Sequence, residues 1–230
     1  MKDREIDAIL QQAGDASRGV DPALLNRIAG ALGPAVPPVR PLPRNWVLAV
    51  GLLAVCTAVA LAGAARLGFL GFQKLGVPGR ALIFPALAVL TWISAAACVA
   101  EMIPGSRRRV PPGFLPGAAS LALVAVFAGL FRDYHTDHFV QQGLICLTAG
   151  MLHAIPAALL CWLLLRRGFA VNPVAAGLVA GTLAGLAGIS MLELHCQNFE
   201  APHVMLWHTA VIPVSAGAGA LAAWLRNLRR

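Results

Sequence analysis

The sequence predicts an all-α membrane protein, a bundle of six transmembrane helices with a short cytoplasmic N-terminal tail that is part helical and part proline-rich. Composition is the first observation behind this: 58% of the 230 residues are apolar and only 12% are charged. A soluble domain carries roughly 45–50% apolar and about 25% charged residues. Mean hydropathy, at +0.73, points the same way. The third observation is spacing. Apolar windows fall at 46–65, 81–102, 115–131, 142–165, 172–192 and 204–225, and about 20 such residues cross a bilayer. These spans use most of the chain and exclude a large soluble catalytic domain. The polar stretch before Trp46 argues against a cleaved signal peptide.

Residues 1–45 form the tail, 46–225 the membrane domain and 226–230 a basic C-terminus. In the tail, residues 3–13 (DREIDAILQQA) place Ile6, Ile9 and Leu10 on one helical face. A second helix is expected over 21–33, with Asp21 as N-cap, Pro22 at the first helical position and Gly33 as the stop. It carries Leu24, Leu25, Ile28 and Leu32 along a stripe. Short amphipathic helices with nothing local to bury against suit docking onto a partner. Pro34, Pro37, Pro38, Pro41 and Pro43 follow. They favour a stiff, extended spacer of about 3 Å per residue. On pattern alone, a disordered or membrane-surface tail is the alternative.

The net charge of +8 would suggest nucleic acid for a soluble protein. Counted by face, it is a topology label. The tail, the 104–113 loop with Arg107, Arg108 and Arg109, the 166–171 turn with Arg166 and Arg167, and the C-terminus hold fourteen of eighteen Lys and Arg. Arg66, Lys74, Arg80 and Arg132 lie on the other face. Basic residues collect on the cytoplasmic side, so both termini are expected there, with no direct nucleic-acid partner. In the fifth span Gly177, Gly181 and Gly185 recur every fourth residue, a surface for close helix packing or for a homodimer seam. Pro85, Pro156 and Pro213 interrupt spans and are expected to kink them.

The same topology sorts the residues that carry chemistry. Cys56, Cys98 and Cys161 fall within the membrane or its inner half and read as small apolar packing residues. Cys146 lies about one turn inside the outer end of the fourth span, and Cys196 ends the fifth. Both face the compartment in which a disulfide persists. All six histidines fall on that side: His135, His138, His153, His195, His203 and His208. Cys146 and His153 share a helix face, and Glu193, His195 and Cys196 sit together in ELHC. Thiolate and imidazole suit zinc and related thiophilic ions, which makes His153, Glu193, His195, His203 and His208 candidate ligands. A reactive dithiol or disulfide, a metal site and plain surface residues all remain open on spacing alone. Glu101 reads as an interfacial ion pair with the arginine run that follows, and Asp133 and Asp137 as solvated loop residues. No catalytic triad and no phosphate-binding glycine loop is present, so an enzyme is not expected and no cofactor is required.

Several segments resemble one family: the junction PVRPLPRNW (38–46), the turn LLLRRG (163–168) feeding the glycine-rich span, LELHC (192–196), and a sixth span bearing Trp207. They are similar to the NrsF-type anti-sigma factors, inner-membrane negative regulators of extracytoplasmic-function sigma factors. The resemblance implies that the N-terminal segment holds such a sigma factor at the bacterial inner membrane, with both termini cytoplasmic. It also implies an outward cysteine pair that senses heavy-metal or oxidative stress; by position the pair is Cys146 and Cys196. One departure is local: Gln197, Asn198, Phe199 and Glu200 follow LHC where the family often has a proline and acidic residues, and Pro202 is displaced.

The expectation is therefore an anti-sigma factor whose tail binds through Ile6, Ile9, Leu10, Leu24, Leu25, Ile28 and Leu32. Acidic Asp3, Glu5, Asp7 and Asp21 would face the basic surface of the sigma factor. Its other partners are the lipid bilayer and a second copy of the chain, with zinc or a similar ion as stimulus. The alternative is a small membrane redox or metal- and haem-handling protein built on the outer histidines.

Overall fold

The computed structural model describes residues 22–32, 42–106, 110–165, 168 and 170–228, together with 8, 11 and 12. It divides into two compact units, Met1–Pro41 and Leu42–Arg230. In the first, Pro22–Leu32 is a helix whose described side chains, Leu25 and Ile28 among them, are exposed. Ile6, Ile9, Leu10, Asp3, Glu5, Asp7 and Asp21 lie outside the described residues, as do the side chains of Leu24 and Leu32. The same holds for Arg107–Arg109, Arg166, Arg167, Arg229 and Arg230.

The second unit is helical, with no strand among the described residues. Its six long apolar helices are Asn45–Leu67, Val77–Met102, Pro112–Leu130, Phe139–Leu165, Pro173–His195 and Ala201–Leu228. All are long enough to cross a bilayer, and the chain is a multi-pass membrane protein. Their outward faces carry exposed large apolar side chains such as Leu82, Val89, Leu121, Ile155 and Leu159, which in water would be a liability. Each span begins or ends a few residues from its expected position, because helical hydrogen bonding continues past the apolar window into flanking residues such as Arg66, Arg80, Gln141 and His195. The fourth starts at Phe139, so Cys146 lies two turns inside it, not one. A five-residue helix, Leu70–Lys74, was not foreseen.

The fifth span is the axis of the bundle. From Gly181 to Leu194 only Ser190 escapes full burial. A helix buried on every face must be apolar all round and narrow, and the glycines meet that need. A Cβ at Gly177 or Gly181 would strike the carbonyl of Gly219 or Ser215 in the sixth span, and one at Gly185 would stand 2.8 Å from the Ile212 Cα. The glycine stripe is thus filled by the sixth span of the same chain. Thr182 and Ser190 donate back to the carbonyls of Leu178 and Leu186, which keeps their hydroxyls satisfied in apolar surroundings.

The inner three cysteines, Cys56, Cys98 and Cys161, are buried with Leu52, Ala95, Ala157 and Leu183 in one apolar cluster, as packing residues. The third span packs through Ala119, Leu123 and Phe127 against Ile83, Leu87 and Ile212. Pro85, Pro156 and Pro213 lie inside their helices. Glu101 is buried at the end of the second span, and it too is engaged by a neighbour.

Candidate functional site

At the end of the bundle away from Asn45, three spans bring thiols and imidazoles together. The placement starts from two glycines. Gly188 of the fifth span touches Gly150 of the fourth so closely that a Cβ on Gly188 would sit 2.5 Å from the Gly150 carbonyl oxygen. Residues four apart share a helix face. One turn outward from Gly150 is Cys146; two turns outward from Gly188 is Cys196. The glycine crossing therefore aims both cysteines at one point, and their sulfur atoms are 3.6 Å apart. Both are free thiols.

The sixth span supplies the imidazoles through an irregular turn. His203 and His208 are five residues apart, which in an α-helix separates them by about 140°. Val204–His208 is instead a π-helical turn, and its wider winding returns both side chains to one face. The rings stand edge to face with centroids 5.2 Å apart. Gly143 of the fourth span leaves room for the Trp207 indole inside that turn, and Phe139 packs beside it at 5.6 Å between centroids.

The His203 Nε2 lies 3.9 Å from the Cys196 sulfur. One ligand atom from each of Cys146, Cys196, His203 and His208 lies within 4.8 Å of all the others. His208 Nδ1 is 2.6 Å from Glu193 Oε1, and both side chains are fully buried. With the carboxylate accepting at Nδ1, the Nε2 of His208 is buried without a well-formed hydrogen bond, and the ring lies within reach of the Cys196 thiol. The other oxygen of Glu193 is unpartnered. Groups of this kind are costly in an apolar interior unless something satisfies them.

A cleft of about 350 Å³ leads to the cluster, lined by Gln142, Cys146, His195, Cys196, Asn198 and His203 among others. Cys146 is its half-buried member; Cys196 and His203 line the cleft although buried, and the buried His208 and Glu193 are not part of its lining. The rim is polar: Asn198 Nδ2 donates to Gln142 Oε1 at 2.7 Å, and Lys74 Nζ donates to the Gln197 carbonyl at 2.9 Å. Gly71 of the short helix lies against the Glu193 and Cys196 carbonyls, where a Cβ would not fit.

Of the residues expected at the site, Cys146, Cys196, His203 and His208 converge, and Glu193 stands behind His208. His195 lines the cleft but turns its Nδ1 to the Gly68 carbonyl at 3.0 Å. His153 lies deeper, with Nδ1 on the Ala149 carbonyl at 2.8 Å and its ring against Gly63 of the first span. His135 is exposed and paired with Asp133 at 2.5 Å. That hydrogen bond holds His135 above the ordinary imidazole value and Asp133 below the usual carboxylate range. The backbone of Asp133 accepts from the Ala201 N–H at 2.6 Å, tying this loop to the start of the sixth span. Sequence reasoning missed Gln142 and Asn198, whose polarity at a span end was the available signal.

Fold and site together define a multi-pass membrane protein with a thiol–imidazole centre at one end of its bundle. Residues 32–229 match the family model NrsF, negative regulator of sigma F, and the chain belongs to that family. It is thus a negative regulator of a sigma factor, and a sigma factor is its partner. No curated protein and no solved structure matches the chain. The matched segment takes in the whole bundle and starts at Leu32, so helix Pro22–Leu32 precedes it almost entirely.

Proposed function

We propose that this protein holds an extracytoplasmic-function sigma factor at the cytoplasmic face of the bacterial inner membrane. It releases that sigma factor when the outward thiol pair, Cys146 and Cys196, is oxidised or captures a metal ion. The 3.6 Å contact between two free thiols at the far end of the bundle from Asn45 is the observation that carries this reading. Within the bundle, the pair lies at the end opposite Asn45, where the first span begins. The basic residues, fourteen of eighteen on the face that includes both termini, support a cytoplasmic tail.

Oxidation is balanced simply. The two thiols lose two protons and two electrons to an oxidant such as a peroxide or a small disulfide, and a sulfur–sulfur bond forms. That bond is about 2.05 Å long, so the fourth and fifth spans or their side chains must close by about 1.5 Å. In a close-packed bundle such a movement is shared by the neighbours, above all the sixth span. On the cytoplasmic side, the exposed Leu25 and Ile28 give the tail apolar contacts for the sigma factor, and by sequence pattern Leu24, Leu32, Ile6, Ile9 and Leu10 are further candidates.

The test uses the full-length protein in nanodiscs with the extracytoplasmic-function sigma factors of the same genome. Wild type retains one of them, and Leu25→Asp with Ile28→Asp loses it. Retention unchanged by those substitutions would remove the tail from the account; no retention by wild type would remove the function.

A further inference from the structure

The spacing of the cluster fits a bound cation better than it fits a disulfide. In a tetrahedral zinc site with metal–sulfur bonds of about 2.3 Å and metal–nitrogen bonds of about 2.0–2.1 Å, two sulfurs are separated by ~3.8 Å and a sulfur and a nitrogen by ~3.6 Å. The observed sulfur pair is 3.6 Å apart, and Cys196 Sγ to His203 Nε2 is 3.9 Å. The remaining ligand atoms are all within 4.8 Å of one another, so contractions of at most about 1.5 Å complete the polyhedron.

We propose that Cys146, Cys196, His203 and His208 bind one divalent, thiophilic d10 cation, zinc(II) or cadmium(II). Glu193 is then the carboxylate that orients His208 through Nδ1. The pattern is carboxylate to histidine to metal, in which the outer acceptor fixes the ring and raises its basicity. The buried Nε2 of His208, without a well-formed hydrogen bond, is explained as a ligand atom, and the π turn as the device that brings the second imidazole to the site.

Charge selects the ion. Binding releases two thiol protons, and two thiolates neutralise a divalent cation. A monovalent cation would leave a net negative charge beside the buried Glu193, which low-dielectric surroundings penalise. Cys146 and the 350 Å³ cleft give the entry path. The proposal rests on the thiol pair as the sensor of the sigma-factor regulator, but binding is measured without the sigma factor.

The experiment is titration of reduced, metal-free, full-length protein in detergent with zinc(II), cadmium(II) and cobalt(II). One ion per chain is expected, with thiolate-to-metal charge transfer and the visible band of tetrahedral cobalt(II). Cys146→Ser, at the half-buried position, abolishes the charge-transfer signal while leaving helicity and melting temperature close to wild type. Glu193→Gln weakens zinc by about 10–100-fold, and His153→Gln and His195→Gln leave it unchanged. Absence of stoichiometric binding in wild type overturns the proposal, as does binding that survives Cys146→Ser or is lost in His153→Gln. If zinc does not bind yet an oxidant still releases the sigma factor, the metal site fails and the sensor stands. If zinc binds as described but neither zinc nor an oxidant releases the sigma factor, the site stands and the sensor reading fails.

Discussion

Two groups of cysteines in this molecule show how little the residue type decides. Cys56, Cys98 and Cys161 are as buried as Cys196, yet they lie in an apolar cluster among leucine, alanine and valine. The outer pair meets two imidazoles, a carboxylate and a cleft. Burial alone makes a thiol inert; burial beside groups that bind its deprotonated form, with one open side, makes it reactive.

The two groups differ most at the buried polar residues. Glu193→Ala leaves the Nδ1–H of His208 sealed in the bundle without its acceptor, a change that costs up to about 3 kcal/mol. Cys98→Ala in the inner cluster costs about 1 kcal/mol, the size of a small apolar deletion. Denaturant unfolding in a fixed detergent measures both. Equal losses would mean that the outer cluster is ordinary core.

Packing gives the next effect. Gly188→Ala forces the Gly150 carbonyl away and costs about 1–3 kcal/mol through overpacking. It also spreads the two thiols, so oxidant-induced cross-linking of Cys146 to Cys196 falls. Gly51→Ala, where a new Cβ meets nothing within 4 Å, leaves cross-linking unchanged and gains about 0.5–1 kcal/mol of helix stability. A third contrast is reactivity. A membrane-impermeant maleimide is expected to label Cys146 on the order of tenfold faster than Cys56, Cys98 or Cys161, read by mass spectrometry of intact protein.

These contrasts also mark what could be read without a structure. Six spans follow from apolar length, and the sorting of cysteines into inner and outer sets follows from topology, because both depend on local composition. The Gly150–Gly188 crossing was not legible, since the repeat read from the sequence was Gly177, Gly181 and Gly185; once the crossing is known, Cys146 and Cys196 stand four and eight residues from it. The pairing of His203 with His208 was not legible. A spacing of five has no place on an α-helical face, and nothing local in VMLWH announces a π turn. Glu193 was legible as a member of the cluster but not in its role, since acting on His208 rather than as a direct ligand depends on which atom it reaches across fifteen residues. The short helix Leu70–Lys74 was missed because five residues carry too little periodicity.

The smallest effect lies outside the cluster. His135, raised by its hydrogen bond to Asp133, is expected to titrate above 6.5 by NMR, and Asp133→Asn returns it toward that value. The loop contact this pair supports is present below the ordinary histidine value and is lost as pH rises through the raised one. Both groups are exposed, so global stability changes little and zinc binding not at all.

The most direct test of the central claim joins the two ends of the molecule. Full-length protein carrying its sigma factor in nanodiscs is exposed to zinc(II) or to a disulfide oxidant, and released sigma factor is measured for wild type, for Cys146→Ser with Cys196→Ser, and for Cys56→Ala with Cys98→Ala and Cys161→Ala. The account predicts release from wild type and from the inner triple variant, and none from the outer double variant. Release from the outer double variant at the wild-type level would contradict it.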